Sequence, residues 1–299
     1  MTTIGFIGLG NMGGPMAANL VKAGHRVLGF DLVPAALAAA RQAGIETVAA
    51  AAATARGADM VITMLPAGEH VRTIYADPAG PLRVAAPGSL FIDCSTIDVA
   101  SARAAHEAAQ AAGMASLDAP VSGGVGGAVS GTLTFMAGGE AAAFARAEPV
   151  LAVMGRKVVH CGGASAGQAA KICNNMILGV SMIAVGEAFV LAEKLGLSHQ
   201  ALFDVASTSS GQCWALTSYC PVPGPVPASP SNNAYKPGFA VALMVKDLIL
   251  ARDAAKLAGA HAELGRHAAD LYERFAAEGN GGQDFSAIVN AIRARSESP

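Results

Sequence analysis

A chain of 299 residues is long enough for two domains with substantial cores. It is 53% hydrophobic and only 14% charged, so many of its faces must be buried, some of them between subunits. A net charge of −2 with no basic run argues against nucleic acid or an anionic membrane surface as partner.

Ile4 to Ile7 reads as a short buried strand, opening at Thr3 with no room for a charged and then apolar leader, so no targeting segment is read. Five scattered cysteines (Cys94, Cys161, Cys173, Cys213, Cys220), without metal spacing, fit reduced thiols in a cytoplasmic protein. Gly8, Gly10 and Gly13 follow the strand with the spacing G-x-G-x-x-G, and Met12 to Ala23 reads as a helix whose Met12, Met16 and Leu20 form one apolar stripe. Gly24 ends it, Arg26 to Phe30 is a second strand, and Asp31 stands at its carboxyl end. Strand, glycine turn, helix, strand and acid in that order predict a dinucleotide site. The first glycine permits the tight turn, the second admits a pyrophosphate close to the backbone, and the third lets helix and strand pack closely. The turn from Gly8 through Leu9, Gly10, Asn11 and Met12 to Gly13 would lie under the pyrophosphate at the positive end of the helix. Asp31 can accept hydrogen bonds from ribose hydroxyls and would repel a 2′-phosphate, which favours NAD over NADP.

Strand and helix signals then alternate. Pro34 to Gln42, Ala49 to Arg56, His70 to Tyr75 and Ala100 to Ala112 read as helices. Met60 to Leu65, Ser89 to Cys94 and Met114 to Asp118 are continuously apolar strands, as in a parallel sheet covered on both faces. Val121 to Gly131 is glycine-rich, Leu133 to Ala137 and Lys157 to His160 are strands, and Ala141 to Met154 is a helix. No proline interrupts Ala166 to Leu195, so one helix of roughly 45 Å can run there. It carries Asn174, Asn175 and Glu187, which makes a buried helix a better reading than a membrane span. Ser198 to Ser207, Phe239 to Ala258 and Glu263 to Glu278 are helical, around a proline-rich loop from Pro221 to Pro237. The expected fold class is α/β: a doubly wound parallel sheet of Rossmann type over 1–162, a long joining helix over 163–195, and an all-helical domain over 196–299.

Lys171 and Asn175 lie four residues apart on the long helix, hence on one face, in the apolar run GQAAKICNNMIL. Either this lysine is solvated, as most helical lysines are, or it is buried in a cleft at the domain junction. Burial beside a positive nicotinamide would lower its pKa from about 10.4 and let it exchange a proton with a substrate hydroxyl. Asn175 would then hold the lysine or the hydroxyl. In Asp118-Ala-Pro-Val-Ser-Gly-Gly124, Ser122 with the N–H groups of Gly123 and Gly124 is either a carboxylate nest or a flexible turn. Ser95-Thr96 either touches the nicotinamide or caps the following helix. Trp214 and Tyr219, beside PVPG, either wall a small substrate pocket or pack in the core. Lys246-Asp247 either neutralises and orients a substrate carboxylate or forms a solvated helix face. The seven histidines are scattered with no H-x-x-x-H pair, so no metal is assigned.

FIGLGNMGGPMAANLVKAGH, DAPVSGG, GQAAKICNNMIL and LMVKDL, in this order over most of the chain, resemble the β-hydroxyacid dehydrogenase family. The resemblance implies a Rossmann domain and a helical domain entered through a shared long helix. It implies Lys171 as acid/base with Asn175 assisting, and Ser122, Gly123 and Gly124 on the substrate carboxylate. Leu65, Pro66, Thr96 and Lys246 would contact NAD. The partner would be a small 3-hydroxy acid, in a homodimer or homotetramer. Cys213-Trp214, Tyr219 and PVPG are similar to one subgroup, whose members commonly carry asparagine where this chain has Cys220. A non-catalytic NADH-binding regulator is the alternative of a different class, and the retained Lys171 and Asn175 count against it.

Overall fold

The computed structural model describes residues 1–297. Backbone contacts divide the chain into two compact units, Met1–Lys171 and Ile172–Pro299.

The first unit is built on one sheet. Its strands are β1 (Thr3–Ile7), β2 (Arg26–Phe30), β3 (Glu46–Thr47), β4 (Met60–Thr63), β5 (Leu90–Asp93), β6 (Ala115–Asp118), β7 (Val121–Ser122), β8 (Leu133–Gly139) and β9 (Gly155–Gly162). Between them run α1 (Gly13–Lys22), α2 (Pro34–Gln42), α3 (Ala51–Thr54), α4 (Gly68–Ala76), α5 (Pro81–Val84), α6 (Val99–Ala111), α7 (Gly124–Ser130) and α8 (Ala141–Met154). The order β3-β2-β1-β4-β5-β6 is all parallel and is the doubly wound dinucleotide-binding order. The two-residue side-chain period explains the continuously apolar strands, since each face has its own helical cover. Ile62 and Ile92 join Met16 and Leu20 of α1 and Leu151 of α8 in one cluster. Val61 and Phe91 join Val71 and Tyr75 of α4 and Ala105 of α6 in the other.

The far edge departs from a purely parallel sheet, because β8 runs antiparallel to β6 and β7 and parallel to β9. The stretch from Val121 to Gly131, which reads only as glycine-rich, contains β7 and α7. Helix α7 persists despite its glycines because it packs closely: a Cβ at Gly127 would come 3.1 Å from the Leu133 side chain, and Asn19 Nδ2 of α1 donates to Ala128 O at 2.8 Å. Gly131, at φ +67°, stops it. Helices expected at Met12–Ala23 and Ala49–Arg56 are shorter, Gly13–Lys22 and Ala51–Thr54, and the strand expected at Lys157–His160 is longer, Gly155–Gly162.

The long helix α9 (Ala166–Lys194) starts in the first unit and continues into the second. It is long and apolar enough to cross a membrane by length and composition, but in the second unit its Met182 and Ile183 are core residues of a globular cluster. There it is followed by α10 (His199–Ala206), α11 (Trp214–Thr217), α12 (Val241–Ala258), α13 (Glu263–Phe275) and α14 (Ile288–Glu297). Val241, Met244 and Leu248 of α12 and Tyr272 of α13 complete that cluster with Phe285 and Ile288. The helix expected to reach Glu278 ends at Phe275 and passes into a π turn, Ala276–Asn280, where Gly279 has φ +91°. Helices α11 and α14 were not expected from the sequence.

Candidate active site

Beyond the carboxyl ends of β1 and β2 the glycine turn has the geometry its spacing requires. Gly8 has φ +93°, and a Cβ there would lie 2.2 Å from Met64 O. A Cβ at Gly13 would lie 1.9 Å from Gly8 O, whereas one at Gly10 would meet nothing within 4 Å. Thus Gly8 and Gly13 are glycines for internal packing, and Gly10 faces open space over the helix start. Helix α1 receives no side-chain cap at Met12. Asp31 accepts the Leu9 N–H at 2.7 Å on Oδ2 and the Val33 N–H at 2.8 Å on Oδ1, so it fixes the turn while keeping acceptor capacity on both oxygens. Leu9, Gly10, Asn11, Gly14, Asp31 and Val33 line one groove. This cradle fits a dinucleotide.

The next two strand ends are tied together. The Ser95 hydroxyl donates to Asp93 Oδ1 at 2.6 Å and accepts the Leu65 N–H at 2.8 Å, which sets the position of Leu65-Pro66. Thr63 Oγ1 donates to the same Asp93 oxygen at 2.7 Å, while Oδ2 is buried without a partner. Burial pushes the Asp93 carboxyl up to about 6, against the opposing pull of the Ser95 and Thr63 hydrogen bonds. Asp98, and neither Ser95 nor Thr96, caps α6, accepting the Ser101 N–H at 2.7 Å. Thr96 is half-buried.

In the DAPVSGG segment, Gly123 (φ +134°) and Gly124 (φ +61°) carry the chain from Ser122 of β7 into α7. Only glycine takes that pair of conformations without strain. Asp118 belongs to a different group of contacts: Oδ1 accepts the Ser165 N–H at 2.8 Å and Oδ2 the Gln168 N–H at 2.7 Å. His106 Nε2 also lies 2.9 Å from Oδ1.

Lys171 is only 6% exposed and Asn175 2%, one turn apart on α9, so the solvated reading of the lysine fails. In the second unit Asn175 Nδ2 donates to Asp247 Oδ2 at 2.5 Å and Asn175 Oδ1 accepts from Asn174 Nδ2 at 2.9 Å. The Asp247 side chain is buried, and its Oδ1 is 3.6 Å from Lys246 Nζ, whose side chain is 35% exposed. Asp247 therefore belongs to a buried polar cluster with Asn175, and Lys246 stands at its partly exposed edge. Trp214 is 50% exposed and stacks on Tyr219 with ring centroids 4.8 Å apart. Tyr219 in turn stacks on Phe285 and donates to Asp284 Oδ2 at 2.9 Å. Trp214 is thus a surface ring on an aromatic stack, not a core residue. Cys220 is fully buried with Phe189, Leu216 and Val222, so this position acts through packing.

Sequence reasoning assigned no role to Asp93, Gln168 or His106. Gln168 lies three residues before Lys171 in a motif already singled out, which was the available signal.

The fold and the cradle together define a dinucleotide-binding protein of Rossmann type. The description "NAD binding domain of 6-phosphogluconate dehydrogenase" matches residues 3–163, and "NAD-binding of NADP-dependent 3-hydroxyisobutyrate dehydrogenase" matches residues 165–292. A solved structure of Mycobacterium tuberculosis 3-hydroxyisobutyrate dehydrogenase with L-serine is 57% identical, with a TM-score of 0.95 over 98% of this chain and 99% of that one. The 3-hydroxyisobutyrate dehydrogenase of Pseudomonas aeruginosa is 50% identical over 99% of this chain and all of its own length. An NAD-dependent L-serine dehydrogenase of the same organism is 46% identical over 96% of this chain and 97% of its own. The chain belongs to the β-hydroxyacid dehydrogenase family, NAD-dependent oxidoreductases that act on a CH–OH group.

Proposed function

We propose that this chain catalyses the reversible oxidation of 3-hydroxyisobutyrate to methylmalonate semialdehyde with NAD, a step of valine breakdown. The observation that carries the reading is Lys171, a lysine 94% removed from solvent and one helical turn from Asn175, which a buried Asp247 anchors. The relatives named 3-hydroxyisobutyrate dehydrogenase support the substrate.

Gly8 to Gly13 would cradle the pyrophosphate, Asp31 would accept from the ribose hydroxyls, and Leu65, Pro66, Thr96 and Lys246 would border the nicotinamide half. Bound NAD supplies the hydride acceptor. Ser122 with the Gly123 and Gly124 N–H groups orients the substrate carboxylate. Lys171, as the neutral amine, takes the hydroxyl proton on Nζ as the carbonyl forms, and returns it in the reduction. Asn175 holds the hydroxyl or the amine in line, and Asp247 with Lys246 keeps that amide in place. Trp214 and Tyr219 form an apolar wall for the small side chain. Segment 1–162 serves the cofactor and lends Ser122 to the substrate, 163–195 carries the acid/base, and 196–299 serves substrate and assembly and lends Lys246 to the cofactor. A homodimer or homotetramer is the assembly expected of the chain. The expected location is the cytoplasm.

A second reading is oxidation of L-serine, favoured by the L-serine in the M. tuberculosis structure and by the P. aeruginosa serine dehydrogenase. Nicotinamide absorbance followed over a panel of both acids, with NAD and NADP in parallel, decides between them. Lys171→Ala is expected to lose at least ~100-fold in kcat, the lower range for a general acid/base, while still binding NADH. Normal turnover by that variant would overturn the assignment. NADH binding without turnover of any acid by the parent chain would favour the regulator instead.

A further inference from the structure

Helix α9 starts in an unusual way. The first N–H groups of a helix lack partners and are ordinarily capped by a side chain at the helix's own first residue. Here Ser165 has φ +69°, and its hydroxyl accepts from Arg103 Nε at 3.4 Å instead. The cap comes from 47 residues away: Asp118, at the end of β6, accepts the Ser165 N–H. The same carboxylate accepts the Gln168 N–H at 2.7 Å. His106 Nε2, 2.9 Å from Asp118 Oδ1, adds a third contact, with the Ser116 hydroxyl 2.7 Å from its Nδ1.

Gln168 then reaches the other way. Its side chain is fully buried. Nε2 donates to Ser95 O at 2.7 Å, and Oε1 accepts the Ile97 N–H at 3.1 Å. The amide therefore brackets Thr96, and through the Ser95 hydroxyl the same unit holds Leu65. Sliding is blocked as well. A Cβ at Gly138 would come within 2.6 Å of both Asp118 Oδ1 and Gly167 N, and one at Gly167 would sit 2.2 Å from Met136 O. The backbone of β8 lies directly against the start of the helix.

We propose that Asp118 and Gln168 form a clasp that fixes the height and rotation of Lys171 against the loop at residues 95–97. Both are positioning residues for the transfer of the proton and the hydride. Lys171 follows Gln168 by three residues, about 4.5 Å along the axis, too short a stretch of helix to absorb a displacement. The clasp rests on the reading of Lys171 as acid/base and of Thr96 as a neighbour of the nicotinamide. It goes beyond that reading by naming what holds the two in register. A stability role alone would need only one acceptor at the helix start; the bidentate amide on a neighbouring loop does something further, tying two functional segments to each other.

The test is Gln168→Met, which keeps length and volume and removes both hydrogen bonds, alongside Asp118→Asn, which turns one accepting oxygen into a donor facing an N–H. In the NAD-free protein, Ile97 amide exchange in Gln168→Met should accelerate by about tenfold or more through local opening. In turnover with 3-hydroxyisobutyrate or L-serine, whichever the parent oxidises faster, kcat should fall at least ~10-fold, as for a sub-ångström misplacement, with KM for NAD within about 3-fold. With the C3-deuterated substrate, the isotope effect on kcat should rise as the chemical step becomes slower. Unchanged kcat and isotope effect in both variants overturn the clasp. So does a loss of activity that tracks a lowered Tm and disappears on assay at lower temperature. Lys171→Ala run in parallel separates the two failures: if it is inactive while both variants match the parent, only the clasp falls; if it turns over normally, the acid/base reading falls and the clasp with it.

Discussion

Asp31 and Asp93 both stand at the carboxyl end of a strand, and their surroundings give them opposite work. Asp31 is partly open, takes two backbone N–H groups and lines the groove over the glycine turn, so its oxygens remain reachable by a ligand. Asp93 is buried, with one oxygen bonded to hydroxyls and the other to nothing. Its pKa rises from 3.8 to about 6, so between those values the folded protein keeps a proton that the unfolded chain has released. Stability from this group is therefore highest below pH 4 and falls as pH rises to about 6, by roughly 3 kcal/mol for a shift near two units. Glu193 has the opposite sign: the Arg293 and His199 hydrogen bonds hold it down to about 2, and its contribution is lost as pH falls from 4.5 toward that value. Asp93→Asn should thus gain more Tm over the parent at pH 7 than at pH 4. A gain independent of pH, measured by thermal denaturation, would contradict the assignment.

Among the elements, those with a strong periodic or spaced signal were legible and those set by neighbours were not. The glycine turn, α1, β4, β5, α8 and the long helix were all readable, because propensity and apolar pattern agree in each. The segment of α7 reads only as glycine-rich, because its glycines argue against a helix one residue at a time. One of them, Gly127, lets α7 approach the Leu133 side chain closely, a tertiary requirement that no local rule contains. Candidate site residues divide in the same way. Lys171 stands out as a charge in an apolar run, with Asn175 one turn along from it, whereas Gln168 carries no charge; its partners Ser95 and Ile97 are over 70 residues away. The turn also supports a test of its own. Gly13→Ala would put a methyl 1.9 Å from Gly8 O, a backbone contact that cannot yield as a side chain does. A loss of about 1–3 kcal/mol, typical of overpacking, is expected from denaturant titration, with weaker NADH binding by fluorescence. A variant as stable as the parent would show that the turn has room the geometry denies it.

At the scale of the whole molecule, two boundaries can be drawn, and they differ by nine residues. The sequence places the change of character near Gly162, where strands stop and the long helix begins. Contacts place it after Lys171. The difference comes from the first turns of α9, whose N–H groups and Gln168 side chain are bound to Asp118, Ser95 and Ile97. A continuous helix thus belongs at its start to the sheet that caps it. This bears on how such chains can be recombined to acquire new substrates. A chimera that joins this cofactor unit to the helical unit of a relative should be cut after Lys171, so that the proposed acid/base travels with the loops proposed to register it. Cut at Gly162, the helix start arrives from a foreign parent and must match Asp118 and Ser95 by chance. Of two such chimeras with the P. aeruginosa serine dehydrogenase, the later junction should show the higher Tm and the higher kcat. If the two prove equal, the first turns of α9 are portable, and exchange of whole helices is the simpler route to altered specificity.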